Sequence, residues 1–148
     1  MSRMPYYLYL VYHFLYMKKI PLFPTLLMYI NRILWGAYIP PSCKLGKGLK
    51  FGYGGSAVVI HAKAIVGSNC IINPAVTIGG RSKQVEVPII GDNVYIGGGA
   101  KVLGSLKIGN NVVIGANAVV ITNVPSNSVV AGIPAKIIKE NIKMEDYV

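Results

Sequence analysis

The sequence predicts an all-β chain, a left-handed parallel β-helix of hexapeptide repeats preceded by a short N-terminal helical segment. Three observations lead there. Stepping by six from Ile60 gives Val66, Ile72 and Ile78, and after a gap Ile90, Ile96, Val102, Ile108, Ile114 and Val120, all β-branched and apolar. Gly follows them at 67, 79, 91, 97, 109 and 115. Small or apolar residues stand four places on, from Ala64 and Cys70 to Ala118 and Val124. Helices repeat at 3.6 residues and strands at 2, so a period of six needs another cause. Three hexapeptides close one triangular coil, each short strand pairing with its equivalent one coil away. The β-branched residues point inward and stack on their own kind, while Gly and Asn supply the corner conformations.

The elements follow in chain order. Residues 1–41 form an apolar helical segment rich in Tyr and Leu, broken by Lys18, Lys19, Pro21 and Pro24. Its uncharged runs, 4–17 and 20–31, hold 14 and 12 residues, too few for the roughly 20 that span a bilayer. No small-residue cleavage site marks a signal peptide. Two short helices are expected, packed on the open end of the β-helix, which would otherwise expose strand edges, or lying on a membrane face through residues 1–35. His13 belongs to an aromatic helix face. Residues 42–138 form the β-helix, and residues 139–148 a polar tail, a short helix or disordered.

Composition narrows the partners. The chain has 148 residues, of which 53% are apolar and 14% charged, with a net charge of +10. All ten basic residues of 1–85 stand without one acid, while 86–148 hold five of each sign. A basic half suits an anionic partner: a phosphate-bearing cofactor, an acidic glycan or a membrane surface. No nucleic-acid reading motif is present. Cys43 and Cys70 make no disulfide framework, and Cys70 falls on an inward position, a pattern suited to a reducing cytoplasm and to attachment, if any, at the inner face of the membrane. No metal-ligand spacing is seen.

The stretches VTIGG (76–80), IGGGAKVLG (96–104), IGNNVVIGANAVV (108–120) and VPSNSVVAGIPAK (124–136) resemble the bacterial serine acetyltransferases and, more closely, the shorter relatives in capsule and exopolysaccharide gene clusters. The resemblance covers about residues 38–138. It implies a homotrimer that uses acetyl-CoA, with each active site between two neighbouring β-helices. Counted by the period, Gly80, Gly98 and Ala116 fall in one column, a shallow track for an extended pantetheine arm, and the resemblance puts CoA contacts at those three positions. Lys136, in AGIPAK, would meet the phosphates. The same small residues would also serve plain coil geometry.

The acceptor side departs from the family. Its Asp–His pair aligns with Tyr38 and Tyr53, the acid before that His with Gly52, and a second His and an Arg with Val87 and Glu86. His61 remains, one coil below Gly79, as the candidate base, with the Tyr53 hydroxyl holding the acceptor or the oxyanion; it reads equally as an exposed corner residue. Three functions are carried from this point. The first is an acetyl-CoA-dependent O-acetyltransferase acting on a sugar hydroxyl of a surface polysaccharide or its precursor. The second is a serine O-acetyltransferase of cysteine biosynthesis, and the third a catalytically inactive trimeric CoA-binding scaffold.

Overall fold

The computed structural model describes residues 2–148. From Lys44 the chain winds into a triangular prism of about four turns, with a sheet of very short parallel strands on each face. The first face stacks Lys44–Leu45, Ile65–Val66, Ile89–Ile90 and Lys107–Ile108. The second stacks Lys50–Phe51, Ile71–Ile72, Tyr95–Ile96, Val113–Ile114 and Ser128–Gly132. The third stacks Val59–Ile60, Thr77–Gly79, Lys101–Leu103 and Val119–Val120. All ten β-branched residues of the six-step are at most 3% exposed, so the periodic pattern is the core itself.

Glycine follows those residues where coils touch at a corner. A Cβ on Gly67 would lie 2.5 Å from the Gly91 carbonyl carbon, and one on Gly91 would lie 2.8 Å from the Gly109 carbonyl oxygen. Neither atom can move without parting two coils. Beside this stack, Asn69, Asn93, Asn111 and Asn127 each take a φ between +54° and +58°, the left-handed region that Asn tolerates better than most residues. Their side chains form a ladder: Asn93 donates to Asn111 at 3.1 Å, and Asn111 donates to Asn127 at 2.9 Å.

Two helices close the N-terminal end, α1 (Met4–Met17) and α2 (Phe23–Trp35). Both carry Pro in the first turn, where a missing N–H costs nothing, and α2 stops at Gly36, whose φ is +72°. Tyr6, Tyr9 and Tyr12 share the coil-facing side of α1. Their hydroxyls donate to the carbonyls of Gly46, Cys43 and Ile39 at 2.8, 2.7 and 2.8 Å. Those carbonyls face the open end of the prism, so the tyrosines supply partners that a further coil would otherwise give. The backbone of Ser2 also bridges to Phe51 at the edge of the second face.

At the other end, Ala135–Glu140 turns back antiparallel on Ser128–Gly132. The strand therefore runs two residues into the segment read from sequence as a polar tail. The remainder lies against the outside of the second face, where Ile142 is buried with Val113 and Val129 and Met144 packs beside them.

Candidate active site

Strand register corrects one element of the sequence reading. Ile78 pairs with Ile60 and Val102 on the third face, whereas Ile96 pairs with Ile72 and Ile114 on the second. Gly80 therefore shares no column with Gly98 and Ala116. Equivalent residues lie 18 apart in the regular coils (Val59 and Thr77) but 24 apart across the loop after Gly80 (Thr77 and Lys101). The loop adds six residues, one full repeat. Its six residues loop out without crossing a face, so every inward residue stays in phase while a count by sixes runs one face ahead of the chain.

The register brings together a different set. Continuing each second-face row by two residues puts Tyr53, Pro74, Gly98, Ala116 and Gly132 on one corner of the prism. Lys136, paired with Ala131, stands one strand beyond it at the C-terminal end. This corner is open. A Cβ on Gly98 would meet nothing nearer than the Pro74 carbonyl oxygen at 3.6 Å, so the coil does not demand glycine there. The amides of Gly97, Gly99, Gly115 and Asn117 are all hydrogen-bonded to carbonyls, while those of Gly98 and Ala116 have no partner among the described residues. The corner between the first and second faces is the contrast: there the Ser68, Asp92 and Asn110 amides are taken by the side chains of Asp92, Asn110 and Ser126. One corner is filled by its own side chains, and the other offers a bare strip with two unpaired N–H donors. An extended chain bearing amide carbonyls fits such a strip, and the Lys136 ammonium suits phosphates at its end.

At the lower end of the strip, Tyr53 sits in a tight turn (Gly52–Gly55) with φ +46° and is 88% exposed. Trp35 of α2 lies under this turn, within 3.1 Å of where a Gly54 Cβ would be. A Cβ at Gly52 would come within 2.5 Å of Asn73 Oδ1, so the turn packs against the next coil where an acid would have to fit. Ser2, Gly52, Gly54 and Asn73 line an open hollow around Tyr53.

His61 lies on another corner, in the row of Gly79 and Leu103, and it is exposed. Its Nδ1 accepts the Lys63 amide at 3.1 Å, so in this arrangement the neutral ring carries its proton on Nε2. Gly80 and the loop 81–88 leave from the same corner, and Gln84 Oε1 pins the loop by accepting the Ser105 amide at 2.7 Å. Val87, where the resemblance expects a second His, is turned inward and buried. Tyr38, aligned with the family Asp, has the Arg32 guanidinium 5.5 Å over its ring. His13 does more than fill a helix face. Its Nδ1–H donates to the Pro41 carbonyl at 2.6 Å and its ring stacks on Tyr9 at 5.1 Å, which fixes the tautomer with Nε2 as acceptor. A sequence count gives no sign of this, because the contact joins residues 28 apart through the cap. Within one chain, then, Tyr53, Gly98, Ala116 and Lys136 are brought together, and His61 and Gly80 stand apart from them.

Residues 88–122 match the family described as bacterial transferase hexapeptide (six repeats). The six-residue step is thus a matched family feature within residues 88–122. It is similar to the serine acetyltransferase of Synechococcus elongatus, with 45% identity over 130 residues, covering 86% of this chain and 53% of that protein. Among solved structures, the serine acetyltransferase of Brucella abortus strain S19 superposes with a TM-score of 0.88 at 34% identity, covering 93% of this chain and 57% of the other. The same enzyme in complex with coenzyme A gives a TM-score of 0.85 at 35% identity, covering 90% and 54%. The chain thus spans about half the length of these relatives. These likenesses overturn the sugar-hydroxyl reading, which rested on the rebuilt acceptor loop and the basic N-terminal half. Identity of 45% to a serine acetyltransferase runs over 130 residues, 86% of the chain.

Proposed function

We propose that this chain transfers the acetyl group of acetyl-CoA to the hydroxyl of L-serine, as a homotrimer with its sites in the seams between subunits. The observation that carries the reading is the bare strip at Gly98 and Ala116, with its two free amides and Lys136 beyond, in a chain 45% identical to a serine acetyltransferase. Pantetheine lies extended along the strip, its carbonyls accepting the two N–H donors, and the phosphates meet Lys136. The thioester then points down the corner towards Tyr53.

Threefold symmetry accounts for the two separate groups. Packing prisms side by side sets one corner of each subunit against a different corner of its neighbour. His61, Gly80 and the 81–88 loop of one subunit then face the Tyr53–Gly98–Ala116 corner of the next. Chemically, a base takes the serine hydroxyl proton as the oxygen attacks the thioester carbonyl. The tetrahedral intermediate collapses with loss of the CoA thiolate, which regains a proton from the conjugate acid of the base. His61 is the residue assigned to this task. Acting through Nε2 requires its proton on Nδ1, so the exposed Lys63 contact must be given up. The Tyr53 hydroxyl holds the acceptor or the developing oxyanion.

The test is thiol release from acetyl-CoA by the purified chain with and without L-serine, with O-acetylserine identified by mass spectrometry. Serine-dependent release is expected. CoA binding without any serine-dependent release would instead leave a trimeric CoA-binding scaffold, the reading that the loss of the Asp–His pair favours.

A further inference from the structure

The two helices that close the prism leave their outer sides bare. On α1, opposite the coil-facing tyrosines, Tyr7, Val11 and Phe14 are 49%, 53% and 59% exposed. On α2, Leu26, Ile30 and Ile33 are 56%, 36% and 82% exposed. Spacings of three and four residues make each set one stripe along its helix. The charges nearest in sequence are Arg3, Lys18, Lys19 and Arg32, and no acidic residue precedes Glu86. Lys18 and Lys19 lie at the turn between the helices and are exposed. No helix among the described residues is long and apolar enough to cross a membrane.

We propose that this face docks on an anionic lipid bilayer, with α1 and α2 lying in the interface plane. An apolar helical surface with cationic edges is what a negatively charged headgroup layer recognises: acyl chains take the stripes and headgroups take the lysines. Tyr7 carries a hydroxyl on an apolar ring, suited to the boundary between the two. Charge argues against a second copy of this face as the occupant, because two surfaces that carry only basic residues repel when pressed together. The proposal is independent of the acetyl-transfer reading.

Sedimentation of the full chain with sucrose-loaded vesicles tests it, comparing phosphatidylcholine alone with phosphatidylcholine mixed with phosphatidylserine. Partition onto the phosphatidylserine vesicles is expected, well above the neutral ones and weakened by salt. Replacing Lys18→Gln and Lys19→Gln together should lower that partition by about tenfold or more, since each basic side chain near an anionic surface contributes roughly fivefold. Phe14→Ser with Ile33→Ser should abolish it, while the circular dichroism and thermal midpoint stay those of the parent, as expected for exposed positions. Partition no greater than in a vesicle-free control would overturn the proposal, as would equal partition onto both vesicle types. A doubled mass in light scattering that the serine pair removes, without vesicle binding, would also overturn it and make a second copy the occupant.

Discussion

His61 is held by one exposed contact to the Lys63 amide, so its ring is free to turn. If it is the base, His61→Ala lowers turnover with serine by about 10²–10⁴-fold, while calorimetry shows CoA affinity unchanged. Equal turnover in parent and mutant would move the base elsewhere. The two cysteines set a pH limit. Burial pushes the Cys70 thiol up to about 11 and the Cys43 thiol up to about 12, and the Tyr9 and Tyr12 phenols move the same way. Unfolded thiols ionise near 9.0. Below that value both states hold the proton; above it the unfolded chain releases protons that the native chain retains. The stability is therefore fully present below pH 9.0 and is lost as pH rises towards 11 to 12. A thermal midpoint that is flat near neutrality and falls through this window is the expected result, and a midpoint rising there would contradict the buried assignment.

The elements differ in how far sequence alone exposes them. Inward residues such as Ile72 and Ile114 were legible because a narrow coil repeats its chemistry at a fixed step, and all ten proved buried. The Gly98–Ala116 pairing was legible for the same reason, since nothing intervenes between those coils. Gly80 was misplaced because an insertion of one repeat leaves the pattern intact. The tyrosine cap was half legible: short helices were expected over the open end, but which carbonyls Tyr6, Tyr9 and Tyr12 would reach depends on where the first coil begins. Tyr9→Phe should cost about 1–3 kcal/mol by orphaning the buried Cys43 carbonyl, read as a fall in thermal midpoint of several degrees. No change would mean that water replaces the hydroxyl. Gly98→Trp tests the strip. The site has open space and an ordinary φ, so the coil should fold while CoA binding by calorimetry is lost; unchanged affinity would put the cofactor on another corner.

At the scale of the whole molecule, the proposed site needs two subunits, since one chain keeps its two groups of residues on separate corners. Light scattering is expected to give a trimer at micromolar concentration, and a monomer there would remove the seam on which the mechanism depends. A sharper check mixes subunits. His61→Ala and Gly98→Trp proteins, each inactive alone, should regain part of the activity when refolded together. Some seams then pair an intact His61 with an intact strip. No recovery, with mixed trimers proven by mass, would put His61 and the strip in the same chain's site or leave one of them without a role.

The loop after Gly80 has a further consequence for how such a chain changes. Because its surplus equals one repeat, removing Arg81–Glu86 would leave Ile60, Ile78, Val102 and Val120 stacked and every other inward side chain inward. The wall of the prism would close as an ordinary coil. The prism and the loop are thus written on separable stretches of sequence: one can be cut out at the scale of a single repeat without the other registering the loss. A solenoid built this way can lengthen or shorten one corner while the Gly98–Ala116 corner stays as it was.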